Sequence, residues 1–146
     1  MASRFRFQTL LNYRKRIEDE RRLDLARADQ EVARLRREIQ AVEQEMAQIA
    51  SQAHQTFNGR LDVNRAQYVH QYLVALEESL ARQKAALQTA EQAADEARNR
   101  LAEAMKARKT LEKLKEYDRR SFLEKLARKE REQTDDFNLA RYNHAP

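Results

Sequence analysis

The sequence predicts an all-α protein, a long antiparallel two-helix coiled-coil hairpin, and three observations carry this prediction. The 146 residues include one glycine, Gly59, and one proline, Pro146, although compact folds use both residue types to end their elements. Charged residues make up 36% of the chain and aromatic residues 7%, which is typical of long helices and coiled coils. On both sides of Gly59, apolar residues recur at alternating steps of three and four, as in a coiled-coil seam.

The first helix is predicted over about residues 5–53. Its apolar seam consists of Leu25, Ala28, Val32, Leu35, Ile39, Val42, Met46, Ile49 and Ala53. Closer to the N-terminus, the expected seam positions are Phe7, Leu10, Tyr13 or Arg14, and Ile17. From Ile17 the pattern reaches Leu25 in two steps of four through Arg21, an irregularity that locally unwinds a supercoil.

The turn is predicted over about residues 54–64, with Asn58 and Gly59 at its centre, because Asn-Gly tolerates the positive φ that a reversal needs. Asp62 or Asn64 can then cap a second helix, predicted over about residues 65–135 and followed by a tail over about 136–146. The seam of the second helix consists of Val69, Leu73, Leu76, Leu80, Gln83, Leu87, Ala90, Ala94, Ala97, Leu101, Ala104, Arg108 and Leu111.

The two seams interlock when the chain folds back on itself. If Ile49 is set opposite Val69, every later pair, down to Leu25 with Ala94, has residue numbers that add up to the same value within one. One antiparallel register therefore satisfies both helices. This predicts a single domain over residues 1–146 that is a monomer on its own.

Charge is distributed unevenly along the chain, whose formal net charge is +5. Residues 1–40 carry 11 basic and 7 acidic side chains, residues 41–100 carry 6 and 8, and residues 101–146 carry 12 and 9. A hairpin brings the two basic segments to one end, which favours an acidic partner there. A solvated helix surface with uneven charge would give the same counts.

Sequence motifs for catalysis or ligand binding are absent. The chain has no cysteine, no glycine-rich phosphate loop and no spaced set of metal ligands, and its three histidines are scattered. Two paired helices also leave no concave interior for a substrate. We therefore expect no enzyme activity, no cofactor, no metal and no small-molecule ligand.

Two regions contain apolar residues that the heptads do not explain. Tyr68 and Tyr72 lie beside the seam of the second helix, in a row with Leu76, Ser79 and Gln83; such a row fits either a docking face or side chains lying over the edge of the core. Further along, little of the first helix remains to cover Leu114, Tyr117, Phe122, Leu123 and Leu126. These residues would meet Phe5 and Phe7 or bind another protein.

In its opening, middle and closing segments the chain resembles the FliJ family of bacterial flagellar type III export proteins. The segments are "FRFQTLLNYRKRIEDE", "YVHQYLVALEESLARQ" after the mid-chain break, and "KLARKEREQTDDFNLAR". The resemblance implies a non-enzymatic cytoplasmic stalk, similar to the coiled coil of the rotary ATPase γ subunit and associated with the inner membrane at the flagellar base. Its implied partners are the hexameric export ATPase FliI, the export gate protein FlhA and export chaperones.

The resemblance also implies where these partners bind. The gate-docking face would comprise Tyr68, Tyr72, Leu76, Ser79 and Gln83, with Val42 and Ile49 of the first helix. The ATPase contact would comprise Phe5, Phe7, Leu10, Leu11, Leu114, Arg119, Arg120, Phe122 and Leu126.

Three other interpretations stay open at this point. A stalk protein of an injectisome-type secretion system would have the same architecture and mechanism. A coiled-coil arm that binds nucleic acid would explain the basic end, although the interleaved Asp and Glu residues weaken phosphate binding. A purely structural spacer would need neither docking region.

Overall fold

The computed structural model describes residues 4–56 and 62–144, and in these ranges the protein is a pair of long α-helices that pack together. Helix α1 spans Gln8–Thr56 and helix α2 spans Val63–Asn143. No strand occurs in the described ranges. The predicted all-α helical hairpin is confirmed. The predicted turn residues Asn58 and Gly59 lie outside the described residues.

Hydrogen bonds at the helix starts explain where the helices begin. The Gln8 amide donates to the Phe5 carbonyl at 3.2 Å, so residues 5–8 form a turn and α1 starts at Gln8 rather than at about residue 5. At the start of α2, a side-chain oxygen of Asp62 accepts a hydrogen bond from the Asn64 amide at 3.1 Å. Of the two predicted caps, Asp62 is therefore the residue that satisfies an otherwise unpaired amide.

Helix α2 extends further than the sequence analysis predicted. The expected end at about residue 135 is wrong, because α2 continues to Asn143 and the His144 amide still donates to the Ala140 carbonyl. The predicted tail over 136–146 is thus helical up to residue 143. Residues 136–143 contain neither glycine nor proline, and each residue added to an existing helix gains a hydrogen bond at little further cost.

The chain divides into two compact units. The first combines residues 1–19 with 102–146, and the second comprises residues 20–101. In α1 the division falls between Ile17 and Arg21, within the predicted irregularity of the heptads. The expectation of one domain over the whole chain stays a prediction.

Burial in the unit of residues 20–101 follows the predicted seams. Val32, Leu35 and Ile39 of α1 and Ala94 and Ala97 of α2 are buried, and the other predicted seam positions of this unit are partly buried. These positions recur at steps of three and four, so one narrow stripe on each helix faces the other.

Ion pairs on one flank of this seam show that the helices run antiparallel. Three pairs join α1 to α2: Asp29–Arg98 at 3.5 Å, Arg36–Glu91 at 3.0 Å and Glu43–Lys84 at 3.6 Å. From each pair to the next, the α1 residue advances by seven positions and the α2 residue retreats by seven. This is the spacing that one heptad register requires.

In the unit of residues 1–19 and 102–146, the seam differs from the prediction by one residue. The expected seam residue Leu10 is 40% exposed, whereas Leu11 is 1% exposed and belongs to the core, as Ala104 of α2 does. The prediction counted helical steps from Phe7. The step from Phe7 to the seam is four residues rather than three, since the buried residue is Leu11, whose amide donates to the Phe7 carbonyl at 2.9 Å.

Candidate functional site

A shallow groove of about 330 Å³ lies between the last turns of α1 and the first turns of α2, and we call it the tyrosine groove. Its lining residues are Ile49, Gln52, Ala53, Arg65, Tyr68, Val69 and Tyr72. Ile49, Ala53 and Val69 are partly buried, whereas Tyr68 is 74% exposed and Tyr72 is 47% exposed. The groove therefore offers apolar surface and two tyrosine rings that the core does not cover.

Tyr72 is held by a residue that the sequence analysis did not single out. Its hydroxyl donates a hydrogen bond to the Glu45 carboxylate of α1, and this bond raises the pKa of the Tyr72 phenol because the carboxylate favours the neutral form. The predicted antiparallel register already indicated that Glu45 lies near Tyr72, since it sets residue 45 level with residues 73 and 74. It did not indicate that Tyr72 is the partner of Glu45, because that depends on which flank of its helix each side chain occupies.

Only part of the predicted gate-docking face lines the groove. Ile49, Tyr68 and Tyr72 line it, while Val42, Leu76, Ser79 and Gln83 do not. These last four residues are partly buried. In the described structure, then, the exposed part of the predicted face consists of the two tyrosines.

The side chain of Gln83 destabilises the fold because it occupies a position in the apolar seam. Its Oε1 atom is buried and has no hydrogen-bond partner among the described residues. A buried acceptor that loses water without gaining a donor destabilises the fold.

We expect Gln83→Leu to stabilise the protein by about 1 kcal/mol, because leucine removes the unpaired oxygen and adds apolar contact in the seam. Urea unfolding followed by circular dichroism measures this free energy. The matched control is Gln88→Leu, since Gln88 is exposed on the same helix and its replacement should change stability little. A loss of stability in Gln83→Leu would show that the oxygen has a partner in solution.

The second predicted region lies in the unit of residues 1–19 and 102–146, where the turn before α1 packs near α2. A cavity of about 270 Å³ is lined by Arg4, Phe5, Lys115, Asp118, Arg119, Phe122 and Leu123, and we call these residues the terminal cluster. Phe5 also meets Phe7 edge to face, with 5.9 Å between the ring centroids. Phe5 thus lines the same cavity as Phe122 and Leu123, and its predicted contact with the apolar residues of the second helix stays a prediction.

Cations dominate the neighbourhood of the terminal cluster. An adjoining cavity of about 620 Å³ is lined by Arg4, Phe5, Arg6, Gln8, Thr9, Asn12 and Lys115. The guanidinium carbon of Arg6 lies 5.6 Å from the centroid of the Phe7 ring, within the range of a cation–π contact. The unit as a whole contains 17 basic and 11 acidic residues, whereas residues 20–101 contain 12 and 13.

The predicted ATPase-contact residues differ in exposure. Phe7, Leu10, Leu114, Phe122 and Leu126 are exposed. Arg119 is exposed and lines the cavity, while Arg120 makes an ion pair with Glu116 at 2.8 Å. Leu11 is buried in the core, so it offers no atoms to a partner.

No other candidate site appears in the described residues. Residues 4–56 and 62–144 contain no group of three or more His, Cys, Asp or Glu side chains arranged to hold a metal ion. Within the same residues, neither helix has a stretch long and apolar enough to cross a membrane. His54, His70 and His144 are exposed.

Comparison with known proteins gave one family. A family model described as "Flagellar FliJ protein" matches residues 3–146. Comparisons with curated proteins and with solved structures gave no match. The matched range includes both helices, the tyrosine groove and the terminal cluster.

Proposed function

Because the chain belongs to the FliJ family, whose members are components of the flagellar export apparatus, we propose that it is a non-enzymatic stalk that couples the export ATPase to the export gate. In this role it binds the hexameric export ATPase with one region and the membrane gate protein with another. It also assists export chaperones in delivering flagellar subunits. The flagellar family favours this reading over an injectisome stalk.

The observation that carries this proposal is the presence of two exposed aromatic regions in two different compact units. The tyrosine groove belongs to residues 20–101, and the terminal cluster belongs to the unit that contains both chain ends. Within residues 20–101 the seam is filled by side chains of the same chain. A spacer without partners would need neither region.

We assign the tyrosine groove to the export gate. Tyrosine is enriched among residues that dominate binding energy, because its ring buries a large area and fixes few rotatable bonds. Tyr68 and Tyr72 supply such rings, and Ile49 and Val69 supply apolar contact beside them. The seam is complete without either tyrosine, so neither is required for folding.

The terminal cluster is assigned to the ATPase. Its exposed apolar side chains are surrounded by Arg4, Lys115 and Arg119, and its unit carries an excess of six basic residues. Such a surface fits a partner that presents carboxylates around an apolar contact, and the opposite charges would speed association.

On this proposal the protein acts in the cytoplasm, at the cytoplasmic face of the inner membrane beneath the flagellum. No enzyme activity is assigned to it, since its part is to hold two other proteins in a working arrangement. Ion pairs on the helix surfaces of residues 20–101 keep that surface solvated.

Secretion of flagellar subunits tests this role in the native cell. We expect deletion of the gene to reduce the amount of hook and filament protein in the culture medium by about tenfold or more, the slowing that an export barrier higher by about 1.4 kcal/mol produces. The wild-type chain should restore secretion. Unchanged secretion in the deletion strain would contradict an essential coupling role.

A further inference from the structure

A charged cluster lies inside the helix pair in the unit of residues 1–19 and 102–146. Arg108 of α2 donates from Nε to the carboxylate of Glu18 in α1, and from Nη1 to Glu112 at 2.7 Å. Glu18 is only 3% exposed, and the Arg108 side chain is 19% exposed. The hydrogen bond that Arg108 donates to Glu18 raises the pKa of Arg108 above its usual value, so the guanidinium stays charged.

This cluster occupies the seam itself. Arg108 stands in the series Leu101, Ala104, Arg108 and Leu111, so it takes a position that the heptads give to apolar residues. Glu18 follows the buried Leu11 by one heptad. By contrast, the ion pairs of residues 20–101 lie on the flank of the seam, with half-exposed side chains.

A charge pair at such a position is an unfavourable choice for stability alone. Removing two charges from water costs more than their attraction returns unless the geometry is very good, and a well-packed apolar pair is often at least as stable. In coiled coils, a polar residue in the seam is the best-attested way to fix register and partner. The position of Glu18 and Arg108 fits this use.

The register of this part of the pair needs such a device because neighbouring seam positions discriminate poorly. Ala104 precedes Arg108 in the seam of α2, and before Leu101 the seam continues with Ala97, Ala94 and Ala90, which belong to the unit of residues 20–101; small side chains fit several alignments. In the observed register Arg108 meets Glu18. A slip of one heptad would set Arg108 against Leu11 or Leu25, which places the guanidinium beside an apolar residue and removes its hydrogen bond to Glu18.

We propose that the Glu18–Arg108 pair selects the antiparallel register of the two helices in the unit of residues 1–19 and 102–146, at the expense of stability. The pair acts through the penalty for separating the two charges: every shifted register takes Glu18 away from Arg108, which keeps the carboxylate of Glu112 on its own helix. The same penalty disfavours a parallel pairing of two copies, since Arg108 would then face another Arg108.

The experiment compares four chains: wild type, the apolar double variant Glu18→Leu/Arg108→Leu, the charge swap Glu18→Arg/Arg108→Glu, and the single variant Arg108→Leu. Spin labels at the exposed Lys15 and Lys125 report the register by their distance distribution. The labels sit at different levels along the pair, so a slip of one heptad changes their separation by up to about 10 Å at 1.5 Å per residue.

The proposal predicts one narrow distance for wild type and charge swap, and at least two separate distances for the apolar double variant. That variant should also melt at a temperature higher by about 3 °C or more, because the desolvation cost is gone. Arg108→Leu should melt earlier than wild type, since Glu18 is then buried without Arg108.

The matched control is Glu43→Leu/Lys84→Leu, which removes a flanking ion pair from the other unit and should leave one distance. A single narrow distance in the apolar double variant would overturn the proposal, and so would an apolar variant that melts earlier than wild type. If the apolar double variant does not fold, the charge swap decides the question. More than one distance between the spin labels in the charge swap would also overturn the proposal.

Discussion

Reversing three charges of the terminal cluster, in the variant Arg4→Glu/Lys115→Glu/Arg119→Glu, is expected to reduce stimulation of the export ATPase by about tenfold or more. These three side chains line the cavity beside Phe5 and Phe122, and they carry the positive charge closest to the apolar surface. The variant leaves its unit with 14 basic and 14 acidic residues, against 17 and 11 in the native chain. An ATPase surface rich in carboxylates would then be repelled. ATP hydrolysis by the purified ATPase at rising concentrations of each chain measures the effect.

The control for this variant makes the same change of net charge in the other unit. Arg27, Arg37 and Arg82 are exposed in residues 20–101, and their replacement by glutamate should leave most of the stimulation in place. Circular dichroism of both variants checks that the helices persist. If both variants stimulate hydrolysis as the wild type does, the terminal cluster is not the ATPase contact.

The second large effect concerns Tyr72 in the tyrosine groove. We expect Tyr72→Ala to weaken binding to the cytoplasmic part of the gate protein more than tenfold, as the loss of an anchoring tyrosine does at other interfaces. Its melting temperature should change little, because Tyr72 is half exposed and the seam beneath it is filled by Val69 and Leu73. Calorimetric titration and melting curves give the two quantities.

Leu35→Ala provides the opposite pattern as a control. Leu35 is buried in the seam and does not line the groove, so its truncation should cost about 2–5 kcal/mol of unfolding free energy and affect gate binding only through stability. Should Tyr72→Ala instead melt early and bind normally, the tyrosine would belong to the core and the gate would dock elsewhere.

Much of the fold could be predicted because one simple periodicity determines it. Steps of three and four in the apolar residues identified the seams of residues 20–101, and one antiparallel register satisfied both helices. The pattern was less informative near the start of the first helix, where Leu10 and Leu11 are adjacent apolar residues. A step of three from Phe7 predicted Leu10 in the seam, whereas the buried residue is Leu11, a step of four from Phe7. Beyond residue 135 the apolar pattern weakens, but the helix continues on backbone hydrogen bonds.

The candidate sites could be predicted only as far as they depend on position along one helix. Tyr68 and Tyr72 lie off the seam, so their exposure followed from the heptads alone. The contacts of Tyr72 with Glu45, and of Arg108 with Glu18, join residues far apart in the sequence. Which flank each long side chain takes depends on rotamers and on the local unwinding of the supercoil. Heptad counting predicts neither the rotamers nor the local unwinding.

The measurement that tests the proposed stalk role most directly is a three-component binding experiment. The cytoplasmic part of the gate protein is immobilised, the chain is added, and retention of the export ATPase is recorded. The proposal predicts that the ATPase is retained through the chain, that Tyr72→Ala releases the chain together with the ATPase, and that the triple charge reversal leaves the chain bound while the ATPase is lost. If the ATPase instead displaces the chain from the gate, the two partners share one surface, and the coupling role is contradicted.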